Sequence, residues 1–399
     1  MTWNNTPIKI EGVTNPASEA RLRRLVAGCL TDPPFSAVRQ IEREGLWEFV
    51  AAHAWQTRVG GILLHRLRRH EIDLPDSAAR QLEAYRDHVL AAHAYRLKRV
   101  EPVLARLQAE AIPFLVLKGA ALNAVLYPEP GMRPMVDVDV LIRPDDAARA
   151  HAALTATGCT PGPDLVRDDF FPRYHYEREY LTPHPPPVKI DLHVRPFRPL
   201  RYARTVPDDA LWDTPSTARF GDLEVQIPNA ENMLILLAVH AACHGLRELR
   251  WQYDIKCWID RFGGEIDWER ISDKCHQLRL TWPFRRTLES VAELFDPLDP
   301  RITRALACAR KSMGVFDRLA LWQAPYGESR PVRDVLMNVL CTPGARLRFG
   351  YLQAVCLPGS GHLGQIYRRR HPGWRAAAHA VRLGRGLTRA FVHPDPNPA

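Results

Sequence analysis

Long apolar runs are missing from this sequence of 399 residues. No stretch approaches the roughly 20 apolar residues that a membrane-spanning helix needs, so we do not expect stable insertion into a membrane. The first five residues also lack the basic start and the apolar stretch of a secretory signal. These absences favour a cytoplasmic protein.

Closely spaced cysteines are missing as well. The chain has eight cysteines, and none of them forms a Cys-x-x-Cys pair. Zinc sites and disulfide frameworks usually show tighter spacing than this. The pattern therefore indicates buried, free thiols in a reducing compartment.

The chain has little net positive charge outside its last 56 residues, 344–399. The net charge is +9, and residues 344–399 hold nine arginines, no lysine and one acid, which gives +8. The rest of the chain is therefore close to neutral. An Arg-rich tail of this kind is either the solvated face of a helix or a surface for anionic lipid, an acidic partner or nucleic acid.

Hydrophobic periodicity divides the chain into four regions. Helical spacing of apolar residues predicts an N-terminal helical region over 1–109. Short β-rich runs between helical stretches predict a compact α/β unit over 110–228. Helical spacing returns over 229–343, and the basic tail occupies 344–399. The predicted fold class is α+β, with a small mixed sheet flanked by helices on both sides.

An Asp-x-Asp pair lies within the predicted strand 136–142. Alternate side chains of a strand face opposite sides, so Asp137 and Asp139 share one face while the valines share the other. Two carboxylates this close repel each other unless a cation lies between them. Mg²⁺ is typically held by a couple of carboxylates together with substrate phosphates. The competing interpretation is a solvated strand edge, because Asp-x-Asp is common.

A third carboxylate and a lysine-glycine turn add to this pair. Asp191 lies on the polar face of a second alternating strand, 188–194, where it would complete a two-metal site. Alternatively, Asp191 is a surface residue paired with Lys189. Lys118 and Gly119 lie where a strand ends and a helix begins, a position that attracts phosphate. A plain turn with an exposed lysine is the alternative there.

Together these residues resemble the nucleotidyltransferase superfamily of the DNA-polymerase-β type. The resemblance is closest to an uncharacterised branch with a Leu-Lys-Gly turn, and it extends over roughly residues 80 to 265. The matching tracts are Leu117-Lys118-Gly119-Ala120-Ala121-Leu122, Tyr127-Pro128, Arg133-Pro134-Met135-Val136-Asp137-Val138-Asp139, Leu192-His193, and the helix with His244-Gly245-Leu246-Arg247 and Arg250-Trp251-Gln252-Tyr253-Asp254.

The resemblance implies a polymerase-β-type core and transfer of an NMP group from an NTP, with ATP as the expected donor. The acceptor would be a hydroxyl or phosphate of an unidentified small molecule, peptide or protein. Mg²⁺, with Mn²⁺ as the alternative, would be the cofactor. Asp137, Asp139 and Asp191 would be the metal-binding catalytic residues, with Asp191 as general base or ligand. The residues expected to bind nucleotide are Lys118, Gly119, Ala120, Arg133, His244 and Arg250.

One departure from the superfamily pattern concerns the phosphate turn. The superfamily has Gly-Ser there, whereas Gly119 is followed by Ala120. Without the serine hydroxyl, either Lys118 replaces its contact or the triphosphate binds weakly. Three alternatives stay open: a metal-dependent glycosyltransferase that uses Asp-x-Asp, a catalytically inactive nucleotide-binding scaffold, and a toxin-type nucleotidyltransferase that acts on RNA or protein.

Overall fold

The computed structural model describes most of the chain up to residue 357. The described residues are 16–162, 173–174, 176–198, 200–295, 299–308, 315 and 331–357. The arginines of the predicted tail from Arg368 onward lie outside them.

Five helices form the N-terminal region. They are α1 (Pro16–Cys29), α2 (Phe35–Glu44), α3 (Trp47–Gln56), α4 (Gly60–Arg69) and α5 (Asp76–Ala109). A Cβ atom on Gly61 would lie 2.4 Å from the carbonyl oxygen of Gly131. Glycine therefore lets α4 pack directly against the loop that leads into the central sheet.

The central sheet has five strands in the order β1-β2-β5-β4-β3. The strands are β1 (Phe114–Val116), β2 (Asp137–Ile142), β3 (Thr160–Pro161), β4 (Glu177–Leu181) and β5 (Lys189–His193). Only β2 and β5 pair in parallel, so the sheet is mixed. Helix α6 (Lys118–Val125) connects β1 to β2, and α7 (Ala147–Ala156) follows β2. The α+β prediction is confirmed.

The register of β2 and β5 separates an apolar face from a charged one. Val138 lies opposite Ile190 and Val140 opposite Leu192, and all four are buried in the core. Asp139 lies opposite Asp191 on the alternate positions. Burial of the apolar face therefore fixes the carboxylates on the other face, since a one-residue slip would reverse both.

The chain after β5 is mainly helical. After α8 (Leu200–Thr205) and a separate hairpin of β6 (Ser216–Phe220) and β7 (Leu223–Ile227), the helices are α9 (Ala230–Cys243), α10 (Leu249–Phe262), α11 (Trp268–Gln277), α12 (Thr281–Leu294), α13 (Pro300–Cys308), α14 (Pro331–Cys341) and α15 (Ala345–Cys356). The side chain of Asn229 caps α9 by accepting a hydrogen bond from the Asn232 amide at 2.9 Å. Helix α9 is buried almost all round and packs against α6, α10 and α12.

One hydrophobic core joins the three predicted regions. It runs from Leu22 on α1 to Ile302 on α13 without interruption. On its border, Arg23 of α1 donates hydrogen bonds to the Arg247 carbonyl and to the Gln252 side chain. The helical regions before and after the sheet are therefore in direct contact.

Helix α15 lies inside the segment 344–399 that the sequence predicts as a basic tail. Tyr351 and Ala354 of this helix are buried with Leu200 of α8 in a small second cluster. Removal of the chain after Pro343 would expose that cluster. A truncation that tests the tail alone should therefore end at Leu357.

If the arginines after Leu357 recruit the protein to an anionic surface, truncation after Leu357 should abolish that association. Co-sedimentation with anionic vesicles and with RNA measures this, at low and high salt. Binding should fall steeply with salt, because exposed charges are screened beyond about 8 Å at physiological ionic strength. Equal binding by the full-length and truncated proteins would contradict a recruiting role for the tail.

The structure also bears on the expected absence of membrane spans and disulfides. Across the described residues, no helix combines the length and apolarity required to cross a bilayer. Seven of the eight cysteines, all except Cys308, are seen as free thiols, and five of these seven are buried.

Acid should destabilise the fold through His53 of α3. Burial, with a smaller contribution from Arg23, lowers the pKa of His53 from 6.5 to about 4. The contribution of neutral His53 to the free energy of unfolding is fully present above pH 6.5. It is lost as the pH falls from 6.5 toward 4, because in that range His53 takes up a proton in the unfolded chain but not in the folded protein. We expect a loss on the order of 2 kcal/mol, measured by urea unfolding at pH 7.5, 5.5 and 4.5. The variant His53→Gln should flatten this dependence, and an unchanged pH profile would contradict the assignment.

Candidate active site

Three adjacent strands present charged side chains on one face of the sheet. Strand pairing brings Asp139 opposite Asp191 and Glu177 opposite His193. The charged and polar residues of this face are Asp137, Asp139, Glu177, Glu179, Lys189, Asp191 and His193. Strands β2, β4 and β5 thus bring five carboxylates to one face of the sheet.

Asp139 lies at the centre of this area and is only 6% exposed. Lys118 donates a hydrogen bond from Nζ to Asp139 Oδ1 at 2.7 Å. His193 Nε2 lies 2.8 Å from the same oxygen and 3.3 Å from Glu177 Oε2. Among the described residues, Asp139, Glu177 and His193 form a group whose ligand atoms all lie within 4.8 Å of one another.

Asp137 and Asp191 share the ammonium group of a second lysine, Lys189. Lys189 Nζ lies 2.7 Å from Asp191 Oδ2 and 3.1 Å from Asp137 Oδ2. The Asp191 side chain is 8% exposed, whereas those of Asp137 and Lys189 are about one-third exposed at 34% and 31%. Each of the three predicted catalytic aspartates therefore has a lysine partner.

These partners give two neighbouring carboxylates opposite pKa shifts. Burial disfavours the charged form of Asp139, but Lys118 and His193 outweigh burial and hold the pKa of Asp139 well below its usual range. Burial, with repulsion from Glu177 and Asp139, raises the pKa of Asp191 to about 7. In the absence of a bound ion, Asp139 is therefore ionised at neutral pH, whereas Asp191 is partly protonated at the same pH.

The lysine-glycine turn lies at the N-terminus of α6, beside Asp139. The backbone of Lys118 has φ = +45°, in the left-handed region. The first amide groups of any helix have no intrahelical acceptor, so those of α6 can bind an anion. A Cβ on Gly119 would lie 2.8 Å from Arg133 Nη1, so glycine lets this guanidinium approach the turn. The side chain of Ala120, predicted to contact nucleotide, is buried in the hydrophobic core.

Arg133 ties the loop before β2 to helix α10. Its Nε and Nη2 donate to the two carboxylate oxygens of Asp254, both at 2.8 Å, and Tyr127 donates to the same Oδ1 at 2.5 Å. Nη1 donates to the Pro134 carbonyl at 3.1 Å. Arg133 is 4% exposed and Asp254 1%. The observed partners of Arg133 are thus structural, although its Nη1 edge reaches the cleft.

Arg250 of α10 fixes the same loop from the other side. Its Nη1 donates to the Pro134 carbonyl at 3.1 Å. Burial and the neighbouring Arg133 lower the pKa of Arg250 to about 10, so it is still charged at neutral pH. Arg250 therefore places a buried positive charge in the wall of the cleft.

His244 belongs to an aromatic group at the C-terminal end of α9. Its ring centroid lies 4.4 Å from that of His240 and 5.1 Å from that of Trp251. Burial, followed by Lys118 and Arg198, lowers the pKa of His244 to about 3. His244 is therefore neutral at physiological pH and offers a ring face or a neutral hydrogen bond, not a charge.

A cleft of ≈ 410 Å³ joins these features. Its volume is in the range of small-ligand sites. The charged strand face forms one wall, and residues of α9 and α10 form the opposite wall. Eight of the nine predicted site residues line it, Ala120 being the exception: they are Lys118, Gly119, Arg133, Asp137, Asp139, Asp191, His244 and Arg250.

The family profile described as "Uncharacterised nucleotidyltransferase" matches residues 43–296, more than half of the chain. This protein belongs to that family. The matched range contains every residue of the cleft named above. No curated protein matches the chain.

Two solved nucleotidyltransferase structures align with the protein at low similarity. One is ANT(2″)-Ia in complex with adenylyl-2″-tobramycin, with 12% identity, 47% of this chain and 99% of that chain covered, and a TM-score of 0.34. The other is an antigenic nucleotidyltransferase-like protein from Paracoccidioides brasiliensis, with 14% identity, coverage of 57% and 94%, and a TM-score of 0.30. The family assignment rests on the profile match and not on these alignments.

Three residues of the charged strand face, of which Glu177 and Lys189 line the cleft, were not among the predicted site residues. Lys189 and His193 lie two positions on either side of Asp191, so the alternation of β5 already indicated their shared face. Glu177 joins them only through the pairing of β4 with β5. Sequence alternation could not reveal that pairing.

The donor atoms of this cleft fit a divalent cation. The oxygens of Asp137, Asp139 and Asp191 form a hard, all-carboxylate set that suits Mg²⁺ or Mn²⁺. The group of Asp139, Glu177 and His193 adds an imidazole, which suits softer ions. Asp139 is common to both sets.

Proposed function

We propose that the protein transfers an NMP group from an NTP to an acceptor hydroxyl or phosphate with release of pyrophosphate. The observation that carries this proposal is the clustering of Asp137, Asp139 and Asp191 on one sheet face, beside the N-terminus of α6. Asp139 and Asp191 lie opposite each other on parallel strands. A bound divalent cation would supply Lewis-acid stabilisation of the charge that develops on the transferred phosphate.

The turn at Lys118 and Gly119 would hold the triphosphate. Helix N-termini bind phosphate through free amide groups and the helix dipole. Lys118 contributes an ammonium group, and Arg133 Nη1 lies against Gly119 where the superfamily serine is missing. Two cationic side chains at the turn therefore offer a substitute for that hydroxyl.

Asp191 would act on the acceptor side. In the proposed step, an acceptor oxygen attacks the α-phosphorus, its proton passes to Asp191, and the bond from the α-phosphorus to the bridging oxygen breaks. Pyrophosphate takes the electron pair of that bond. Asp191 suits this task by position, since it lies opposite Asp139 and beside the cleft.

The family membership favours nucleotidyl transfer over the glycosyltransferase alternative. A toxin-type nucleotidyltransferase that acts on RNA or protein would perform the same transfer, so the competitor outside nucleotidyl transfer is a catalytically inactive nucleotide-binding scaffold. It would bind NTP in the same cleft without transferring label to any acceptor.

The test is incubation with a cell extract and each of the four NTPs labelled at the α-phosphate. We expect one NTP, with ATP first, to label a component of the extract in the presence of Mg²⁺ or Mn²⁺ but not with EDTA. The variant Asp139→Asn serves as the matched control. Nucleotide binding without any labelled product would favour the scaffold.

Replacement of Lys118 by alanine should separate its two roles. Loss of a charge-assisted contact to phosphate should weaken binding of a non-hydrolysable NTP analogue roughly 10- to 100-fold. Binding of the metal alone should be unchanged or tighter, because Lys118 no longer competes for Asp139. Calorimetric titration measures both, with Lys118→Arg as the charge-retaining control. Unchanged affinity for the analogue would limit Lys118 to its ion pair.

A further inference from the structure

Lys189 is held between two predicted metal ligands by the backbone itself. Strand pairing places Lys189 directly opposite Asp137, and alternation along β5 places it on the same face as Asp191. A lysine in this register can reach both carboxylates without any change in the backbone. The strand register therefore places the Lys189 side chain within reach of both aspartates.

The ammonium group of Lys189 bridges these two carboxylates. Its Nζ lies 3.1 Å from Asp137 Oδ2 and 2.7 Å from Asp191 Oδ2. An ammonium carries three donors and one positive charge, so it neutralises and orients two carboxylate oxygens at once. A divalent cation shared by Asp137 and Asp191 would do the same.

The three aspartates of this face already have cationic partners. Lys118 pairs with Asp139, and Lys189 pairs with both Asp137 and Asp191. A second divalent cation held by Asp137 and Asp191 would therefore have to displace Lys189 from both carboxylates.

We propose that Lys189 replaces the acceptor-side metal ion, so that the protein with bound nucleotide holds one divalent cation and not two. The inference rests on the proposed function, because it concerns the cation of that same cleft. Asp137 and Asp139 would hold the single ion at the nucleotide, while Lys189 neutralises Asp137 and Asp191 on the side of the acceptor. Lys189 thereby positions Asp191 without contact to the transferred phosphate.

The test is the number of Mn²⁺ ions bound per chain in the presence of an α,β-methylene NTP analogue. Equilibrium dialysis measures it directly, with saturating analogue on both sides of the membrane. We expect one Mn²⁺ for the wild-type protein, one for Lys189→Arg and two for Lys189→Met. The variant Lys274→Met is the matched control, since it removes a lysine that is paired with Asp213 outside the cleft; it should bind one.

Each other result overturns part of the account. Two ions on the wild-type protein, or one on folded Lys189→Met, would overturn this inference and leave the proposed function intact. No bound Mn²⁺ on either protein would overturn the metal-dependent function and this inference with it. Circular dichroism establishes that Lys189→Met is folded, which is expected because the Lys189 side chain is 31% exposed.

Discussion

Replacement of Asp254 by alanine should lower the free energy of unfolding by about 3–5 kcal/mol, because it leaves the buried Arg133 guanidinium without its carboxylate. Two hydrogen bonds of 2.8 Å and the Tyr127 hydroxyl converge on Asp254, which is 1% exposed. Urea unfolding monitored by tryptophan fluorescence measures the loss. Among the ion pairs of the residues that the structure describes, Arg133–Asp254 is the least exposed, and it has two parallel hydrogen bonds.

The control for this prediction lies on the same helix. Asp260 pairs with Lys256 one turn away, but its side chain is 58% exposed. The variant Asp260→Ala should therefore cost less than about 1 kcal/mol. The double variant Asp254→Ala/Arg133→Met should recover part of the loss, because no unpaired charge stays buried. Equal effects of Asp254→Ala and Asp260→Ala would contradict the structural role of Arg133.

Replacement of Asp137 by asparagine should reduce the rate of pyrophosphate release by at least about 100-fold, since loss of a metal ligand should exceed the 10- to 100-fold effects of outer-shell partners. The change keeps the side-chain volume and removes the charge that a cation requires. Because the Asp137 side chain is 34% exposed, we expect little change in the melting temperature.

Asp139→Asn should lose activity to the same extent but also lower stability. The neutral amide of this variant would leave Lys118, whose side chain is 14% exposed, without its anionic partner. Asp145→Asn, at an exposed position after β2, is the control and should retain full activity. Wild-type rates in Asp137→Asn would remove this carboxylate from the catalytic site.

Alternation along single strands was enough to predict the charged face of the sheet. The valines of β2 and the apolar residues of β5 had to face the core, and this fixed the side on which Asp137, Asp139 and Asp191 lie. Features that depend on neighbouring residues in the chain could therefore be predicted from the sequence.

Contacts between residues far apart in the chain could not be predicted from the sequence. Arg133 and Asp254 are separated by 121 residues, and no periodicity shows that one will meet the other. The same holds for Glu177, which reaches His193 only because β4 pairs with β5. The resemblance suggested nucleotide contacts for Arg133, whereas the structure reveals its partner on α10.

The position of the transferred phosphorus tests the central claim most directly. The protein is incubated with Mg²⁺, a cell extract and the donor NTP labelled at either the α- or the γ-phosphate. Nucleotidyl transfer predicts that α-label enters the acceptor while γ-label appears only in pyrophosphate, with both products absent for Asp139→Asn. Entry of γ-label into the acceptor, with release of a nucleoside diphosphate, would contradict the account.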